Sequence, residues 1–600
     1  MPCTRQDIQT LIEQVQDLQP VQLCKYKLIL ILHMAANKPA AAGPHKLEMG
    51  AFQPCVWGDF FITYNPPLSQ SSEMRMRERA EQLKVQVRAL LEDSKNRSVA
   101  DAVTLVETLE RLGINNHFRG EIGTVLRHVL NEEPEFPASS DDLHIAALRF
   151  RLLRQHGFWV SADIFDKFKD QTGNFSTSLC SDLVSLLSLY NAAHLATPGE
   201  DALSDVIVFS RYHLEAMRNK LRPPMAEQVS RALDIPLPRT VRRLETMHYI
   251  KEYEKDESNN GPLLELSRLD FELVRSLHLK ELRALSLWWR DLYDNVKLSY
   301  ARDRLVENYF WTCSVFHEEE YSRARLMFAK TFGLLSLMDD TYDVHATLED
   351  CYKLNEAIQS VKLLAYVLAH CDQPKYLHMF YIRLLGNFKE FEDTLGPHEK
   401  YRVSYAKTAI RAFEKKINCT EFNSCTIQAI LFQSSSEYYL REAKWSNEKY
   451  APSFKEHLEV SRMSSGFPTL ALVLLMGAAD VPDIVCASGV IARFLNDIAY
   501  YKLGKTKKDV ASSVECYMKE NLVGGQEAIV AISALAEDAW RMINRACMEI
   551  EPALLPAAQL MVNLTRTLEV IYLGGRDGYT FGGDLKGLIA ALFLKPIYVV

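Results

Sequence analysis

Apolar residues recur along most of this chain at steps of three and four. Between 101 and 113 the positions Ala102, Val103, Val106, Leu109 and Leu112 fall on one stripe, as a helix with a single buried face requires. Ile145, Leu148 and Leu152 repeat the pattern, as does the stretch 183–189. Alternating apolar and polar runs bounded by Asn-Gly turns are nearly absent, and no fixed-period repeat is evident. An all-α protein is predicted. With 600 residues the chain is too long for one ordinary core, so two domains are expected. The polar stretch 252–262 ends on Gly261-Pro262 and is the candidate boundary, with helical patterning resuming at Leu263 and running through Trp288-Trp289.

Composition narrows the partners. A net charge of −8 leaves no basic excess for a nucleic acid, so an anionic ligand must be met by local arginines or by metal ions. No apolar run approaches the roughly 20 residues of a membrane helix; 28–32 is far too short. The 12 cysteines, among them Cys55, Cys180, Cys313, Cys419 and Cys547, form no CxxC pair, which argues against a zinc site or a disulfide framework and suits a reducing compartment. Asp7, Glu13 and Asp17 are unlike an acid-poor transit peptide, and the cytosol is the expected location.

The chemistry concentrates in the second half. The apolar run Leu334-Leu335-Ser336-Leu337-Met338 leads straight into Asp339-Asp340-Thr341-Tyr342-Asp343. On a helix Asp339 and Asp343 lie one turn apart on one face with Asp340 beside them. Carboxylates so close repel unless a cation sits among them, and hard oxygens at this spacing suit magnesium. An exposed acidic helix end would look the same in isolation. Upstream, however, Arg302 and Arg304 flank Asp303 and are followed by Tyr309-Phe310-Trp311. Arginine forks match phosphate oxygens, and aromatic faces stabilise cations. Acids, arginines and aromatics together are a sharper signal of a metal-bound phosphate than any one of them alone.

From about Ala51 to its end the chain resembles the plant terpene synthases of class I, sesquiterpene type. The resemblance is carried by Phe52-Gln53-Pro54-Cys55-Val56-Trp57-Gly58-Asp59-Phe60-Phe61, Leu109-Glu110-Arg111-Leu112-Gly113-Ile114, Ala147-Leu148-Arg149-Phe150-Arg151-Leu152-Leu153-Arg154-Gln155-His156-Gly157 and Leu187-Ser188-Leu189-Tyr190-Asn191-Ala192-Ala193. Trp288-Trp289-Arg290-Asp291-Leu292, the intact DDxxD element and Glu515-Cys516-Tyr517 continue it in order. It implies an N-terminal extension at 1–33, a non-catalytic relict α-barrel-like domain at 34–262 and a C-terminal catalytic α-bundle at 263–600. The extension, which ends before Met34, is expected to be dispensable. Asp163-Ile164-Phe165-Asp166 is not the DxDD acid of protonating cyclases, so chemistry should start by ionisation.

The resemblance also implies roles. Asp339 and Asp343 would ligate magnesium with Asp340 supporting them, and Arg302 and Arg493 would hold the diphosphate while Arg304 helps close the loop above it. Trp311, Tyr572 and Tyr579 would line the pocket, with Asp577 between the two tyrosines. The helix bearing Ser464-Ser465-Gly466 would kink and turn carbonyls toward the cation. The family's second metal motif, (N/D)Dxx(S/T)xxxE, is damaged here. Asn496 matches its first ligand, but Tyr500 replaces the hydroxyl residue and Gly504 the glutamate. Three Mg2+ ions are expected, the third weakly held, with Mn2+ able to substitute. The expected activity is that of a sesquiterpene synthase on farnesyl diphosphate, acting as a monomer. The alternatives are a non-catalytic isoprenoid-binding relative and a monoterpene synthase using geranyl diphosphate. The arginine pair that monoterpene synthases carry ahead of the tryptophan is absent, His45-Lys46-Leu47-Glu48-Met49 preceding Trp57 instead. A chain-elongating prenyltransferase would carry a second aspartate-rich cluster.

Overall fold

The computed structural model describes residues 52–65, 68–94, 98–131, 142–169, 175, 182–296, 300–359, 383, 390, 427–474, 482–504 and 512–597. The expected extension 1–33, its end at Met34, the stretch 45–49 and Cys180 and Cys419 lie outside them.

The chain is all-α. The N-terminal half contributes α1 (Gln70–Asp93), α2 (Val99–Arg111), α3 (Arg119–Asn131), α4 (Leu143–Gln155), α5 (Leu183–Ala193), α6 (Asp201–Met217), α7 (Met225–Asp234) and α8 (Arg242–Tyr253). The C-terminal half contributes α9 (Gly261–Val296), α10 (Leu305–Val315), α11 (Ser322–Asp340), α12 (Leu348–Gln359), α13 (Ile427–Glu448), α14 (Phe454–Ser464), α15 (Phe467–Leu474), α16 (Pro482–Lys502), α17 (Ser513–Asn521), α18 (Gly525–Glu549), α19 (Leu555–Ile571) and α20 (Gly583–Phe593). Among the described residues the one β-type pairing is an isolated bridge between Lys169 and Phe175.

Local chemistry starts these helices where the pattern predicts. Ser98 accepts from Asp101 N at 3.2 Å to open α2, and Asp142 and Asp182 cap α4 and α5 in the same way. Such a cap contributes about 1 kcal/mol by satisfying an orphan amide. The α2 stripe Ala102, Val103, Val106 and Leu109 is buried as read from the sequence.

The candidate linker takes a tighter form than its composition suggests. α8 runs to Tyr253, and α9 starts at Gly261. Asn260 donates its backbone N–H to the Tyr253 hydroxyl (2.9 Å) and accepts from Leu263 N (3.3 Å). Gly261-Pro262 therefore opens a helix instead of breaking one, because the first turn needs no amide donor from proline. One continuous apolar core then spans both halves, from Trp57 to Ile597. Polar contacts sew the same seam: Arg239 forks onto Glu537 at 2.7 and 2.6 Å, and Arg566 Nε donates to Pro238 O at 2.8 Å. A cavity of about 10 Å³ in this seam is lined by Arg243, Thr246, Asp270 and His317 and shares no residue with the acid–arginine constellation.

Glu110, buried on α2, faces His156 Nε2 at 2.6 Å. Burial alone would raise its carboxyl, but the bond to His156 and the charges of Arg242 and Arg151 outweigh it and bring the pKa from 4.5 to about 2. A folded-state pKa below the unfolded one means stabilisation that is complete above 4.5 and lost as pH falls toward 2. Glu110→Gln should therefore flatten the acid limb of a plot of melting temperature against pH over that window. Identical slopes for the two proteins would contradict this account.

Candidate active site

α11 carries the acids out of the core. Its residues Leu334, Leu335, Leu337 and Met338 are buried, and at Asp340 the α-helix passes into a π-helix, Thr341–His345, closed by Ala346 N donating to Thr341 O at 2.9 Å. Such wide turns occur mostly at functional positions. The three carboxylates end up in different surroundings. Asp339 is partly buried, Asp343 is exposed, and Asp340 is buried. Among the described residues no set of three or more His, Cys, Asp or Glu side chains converges as a ligand cage. Asp339 and Asp343 are thus the pair left facing outward, a donor set that fits a magnesium ion taking one or two carboxylates and completing its shell with water and phosphate.

Asp340 turns to the arginine loop. Its Oδ2 accepts from Arg302 N at 2.8 Å, and its Oδ1 lies 2.8 Å from Arg302 Nε. The same guanidinium donates through Nη2 to Asp339 Oδ2 at 2.8 Å and through Nη1 to Thr580 Oγ1 at 3.1 Å. Tyr300 seals the contact: its ring stacks on His345 at 4.0 Å and its hydroxyl meets Thr341 Oγ1 at 2.9 Å. Burial would weaken the Arg302 cation, but Asp340 and then Asp339 hold its pKa well above the ordinary value, so it stays charged.

Arg304 behaves differently from its neighbour. It is fully buried and donates to carbonyls: Tyr579 O at 3.1 Å, Thr580 O at 2.9 Å, Gln53 O at 2.8 Å and Asp303 O at 2.8 Å. Those bonds tie the 52–57 strap and the 577–581 loop together, a tie strengthened where Trp57 Nε1 donates to Glu307 at 3.2 Å. Asp577, buried in that loop, accepts from Tyr579 N and Thr580 N, both at 3.0 Å. Its role in this geometry is to set the loop so that Tyr579 faces inward.

Below the acids lies an aromatic cage. Trp311 from α10 meets Phe332 (5.1 Å), Tyr579 (6.0 Å) and Phe467 (6.2 Å) edge to face, and Phe332 stacks on Tyr579 at 5.9 Å. The Tyr579 hydroxyl reaches Ser336 Oγ at 2.9 Å, so its ring is fixed by α11 itself. Phe332 and Phe467 were not among the candidates from sequence. Phe332 was legible, since it sits seven residues before Asp339 on the same helix face, whereas nothing local marks Phe467. The expected kink is present between α14 and α15, where Gly466 has φ +76° and a Cβ there would sit 2.8 Å from Leu335 Cδ2.

α16 supplies the opposite wall. Arg493 Nη2 pairs with Asp497 Oδ1 at 2.9 Å, and Asp497 Oδ2 accepts from Ser513 N at 2.7 Å. Asn496 Nδ2 donates to the Tyr572 hydroxyl at 3.0 Å. That bond draws Tyr572 to Asn496, while the cage contacts of the loop come from Tyr579. Among the described residues no helix is long and apolar enough to cross a membrane.

Comparison with known proteins gives the family. Residues 56–233 match the family model described as terpene synthase, N-terminal domain, and residues 290–420 and 409–542 match the terpene synthase family, metal binding domain. The chain is 53% identical over 588 residues to a eudesmanediol synthase from Zea mays, covering 95% of this chain and 99% of that one. It is 42% identical over 582 residues to a tau-cadinol synthase, also from Zea mays, covering 93% and 100%. Among solved structures, isoprene synthase from grey poplar leaves in complex with three Mg2+ ions and dimethylallyl-S-thiolodiphosphate superposes with a TM-score of 0.73 at 27% identity, covering 87% of this chain and 97% of that one.

Proposed function

The chain belongs to the terpene synthase family and is an enzyme of it, and from that premise we propose that it is a sesquiterpene synthase, ionising farnesyl diphosphate and cyclising the cation. One observation supports this above the others: a single helix, α11, carries Asp339 at the mouth and Phe332 two turns deeper in the aromatic cage, with Arg302 2.8 Å from Asp339.

The division of labour follows from chemistry. Magnesium, when bound, supplies Lewis acidity for the leaving diphosphate. Asp339 and Asp343 are the side chains that would hold it. Asp340 carries Arg302 from two sides, so its part is to aim that guanidinium and not to ligate. Arg302 and Arg493 present forked donors to the phosphate oxygens. Trp311, Phe332 and Tyr579 face the cation; each aromatic face is worth about 0.5–2 kcal/mol and offers no nucleophile. Arg304 and Asp577 hold the strap and loop that keep water out. Residues 263–600 would then be the catalytic domain and 34–262 its scaffold.

The test is gas chromatography of products formed with Mg2+ from each prenyl diphosphate. Farnesyl diphosphate should show the higher kcat/KM and geranyl diphosphate a smaller one, because an apolar pocket rejects a shorter chain only weakly. The relatives named for eudesmanediol and tau-cadinol, both fifteen-carbon alcohols, support that order. A clearly higher kcat/KM for geranyl diphosphate would overturn it.

A further inference from the structure

We propose that the face of α16 carrying Arg493, Asn496 and Tyr500 grips the diphosphate with protein donors and holds no metal ion, so that the site works with two ions, both carried by Asp339 and Asp343. The inference rests on the metal-dependent diphosphate chemistry proposed above and concerns how its charge is met.

Steps of three and four place Arg493, Asn496 and Tyr500 on one helix face, and Gly504 would continue it by another turn. A third divalent ion on this face needs oxygen ligands there, preferably carboxylate. The carboxylate that α16 itself carries beside these residues, Asp497, is 1% exposed and turned into the body, one oxygen on Arg493 and the other on Ser513 N. Gly504 offers no side chain; it lies in the turn just past the helix end at Lys502, has φ +63° and is exposed. The amide of Asn496 is fixed by its bond to Tyr572 and has one neutral oxygen to give. That set does not make a magnesium site.

The same face is well furnished for an anion. Among the described residues, buried Arg493 Nε finds no hydrogen-bond partner. Tyr500 is partly buried on the same face of α16, one turn beyond Asn496, whose amide meets the Tyr572 hydroxyl. A phenol there donates a hydrogen bond to a phosphate oxygen without bringing a charge of its own. The isoprene synthase complex, by contrast, holds three Mg2+ ions.

The experiment counts ions. Full-length protein is dialysed to equilibrium against Mn2+ with saturating inorganic diphosphate, and bound metal and phosphorus are measured together. Two Mn2+ per diphosphate are expected; three would overturn the proposal. Tyr500→Phe keeps the ring and removes the donor, so diphosphate affinity should fall about tenfold with the ion count unchanged. An unchanged affinity would remove the phenol from the account. Tyr500→Ser combined with Gly504→Glu should raise the count to three; a count still at two would show that side-chain ligands on this face do not set the number. Failure of the wild type to bind any Mn2+ or diphosphate would instead defeat the enzymatic reading itself, so the two failures are distinguishable.

Discussion

Asp339→Ala is expected to slow turnover by about 10²–10³ without unfolding the protein, the scale for loss of one electrostatic stabiliser of a transition state. Two effects combine. The side chain is the partly exposed end of α11 and one of two carboxylates left to hold metal, and it also takes one arm of Arg302 at 2.8 Å. Its removal weakens the metal and loosens the arginine that meets the same diphosphate. Raising Mg2+ should recover part of the rate but not all of it, because the arginine contact does not return with metal. The melting temperature should change little, since Arg302 keeps Asp340 on both its backbone amide and its Nε. Chelation with EDTA should abolish activity of the wild type. A variant of normal kcat and normal Mg2+ dependence would remove Asp339 from the metal site.

Arg325→Met is expected to cost about 3–5 kcal/mol of stability, the range for stripping one partner from a buried ion pair. Arg325 has no exposed surface and forks onto Glu281 with both bonds at 2.8 Å, while its third arm reaches Phe316 O at 2.8 Å. Glu281 also accepts from Tyr309 at 2.7 Å and Ser322 at 2.5 Å. This hub therefore binds α9, α10 and α11, the helices that bring Trp289, Trp311 and Asp339 into register. Methionine fills most of the volume but leaves the Glu281 charge buried and unpaired. Pairing it with Glu281→Leu should recover a large part of the loss, because the charge then goes with its partner. Thermal unfolding of the two single variants and the double variant reads this directly; equal and additive losses would show that the pair is not coupled.

Much of the fold was legible because helix periodicity is local. The α2 stripe and the acid end of α11 depend on neighbours within a turn or two, and each appears in the structure where spacing places it. The stretch 252–262 shows the limit: its polar, Gly-Pro ending reads as a linker, yet packing makes it the turn into a 36-residue helix. Its middle, 254–258, stays exposed, while Asn260 and Tyr253 at its two ends are tied by a hydrogen bond that local composition does not encode.

What the sequence determined by itself was which residue types were present to do chemistry: adjacent aspartates on a helical face, a spaced arginine pair, aromatics nearby, and a second motif lacking its hydroxyl and its glutamate. What only the tertiary structure decided was the direction of each side chain. Asp339 and Asp340 are adjacent in sequence, but a residue step on a helix turns the side chain by about 100°, so one faces the mouth while the other is buried against Arg302. Arg302 and Arg304 are two apart and equally basic, yet one meets carboxylates and the other four carbonyls from separate segments. Asn496 could as well have faced solvent; α19 brings Tyr572 to it from 76 residues away. Direction depends on which distant element packs opposite, and no local spacing encodes that.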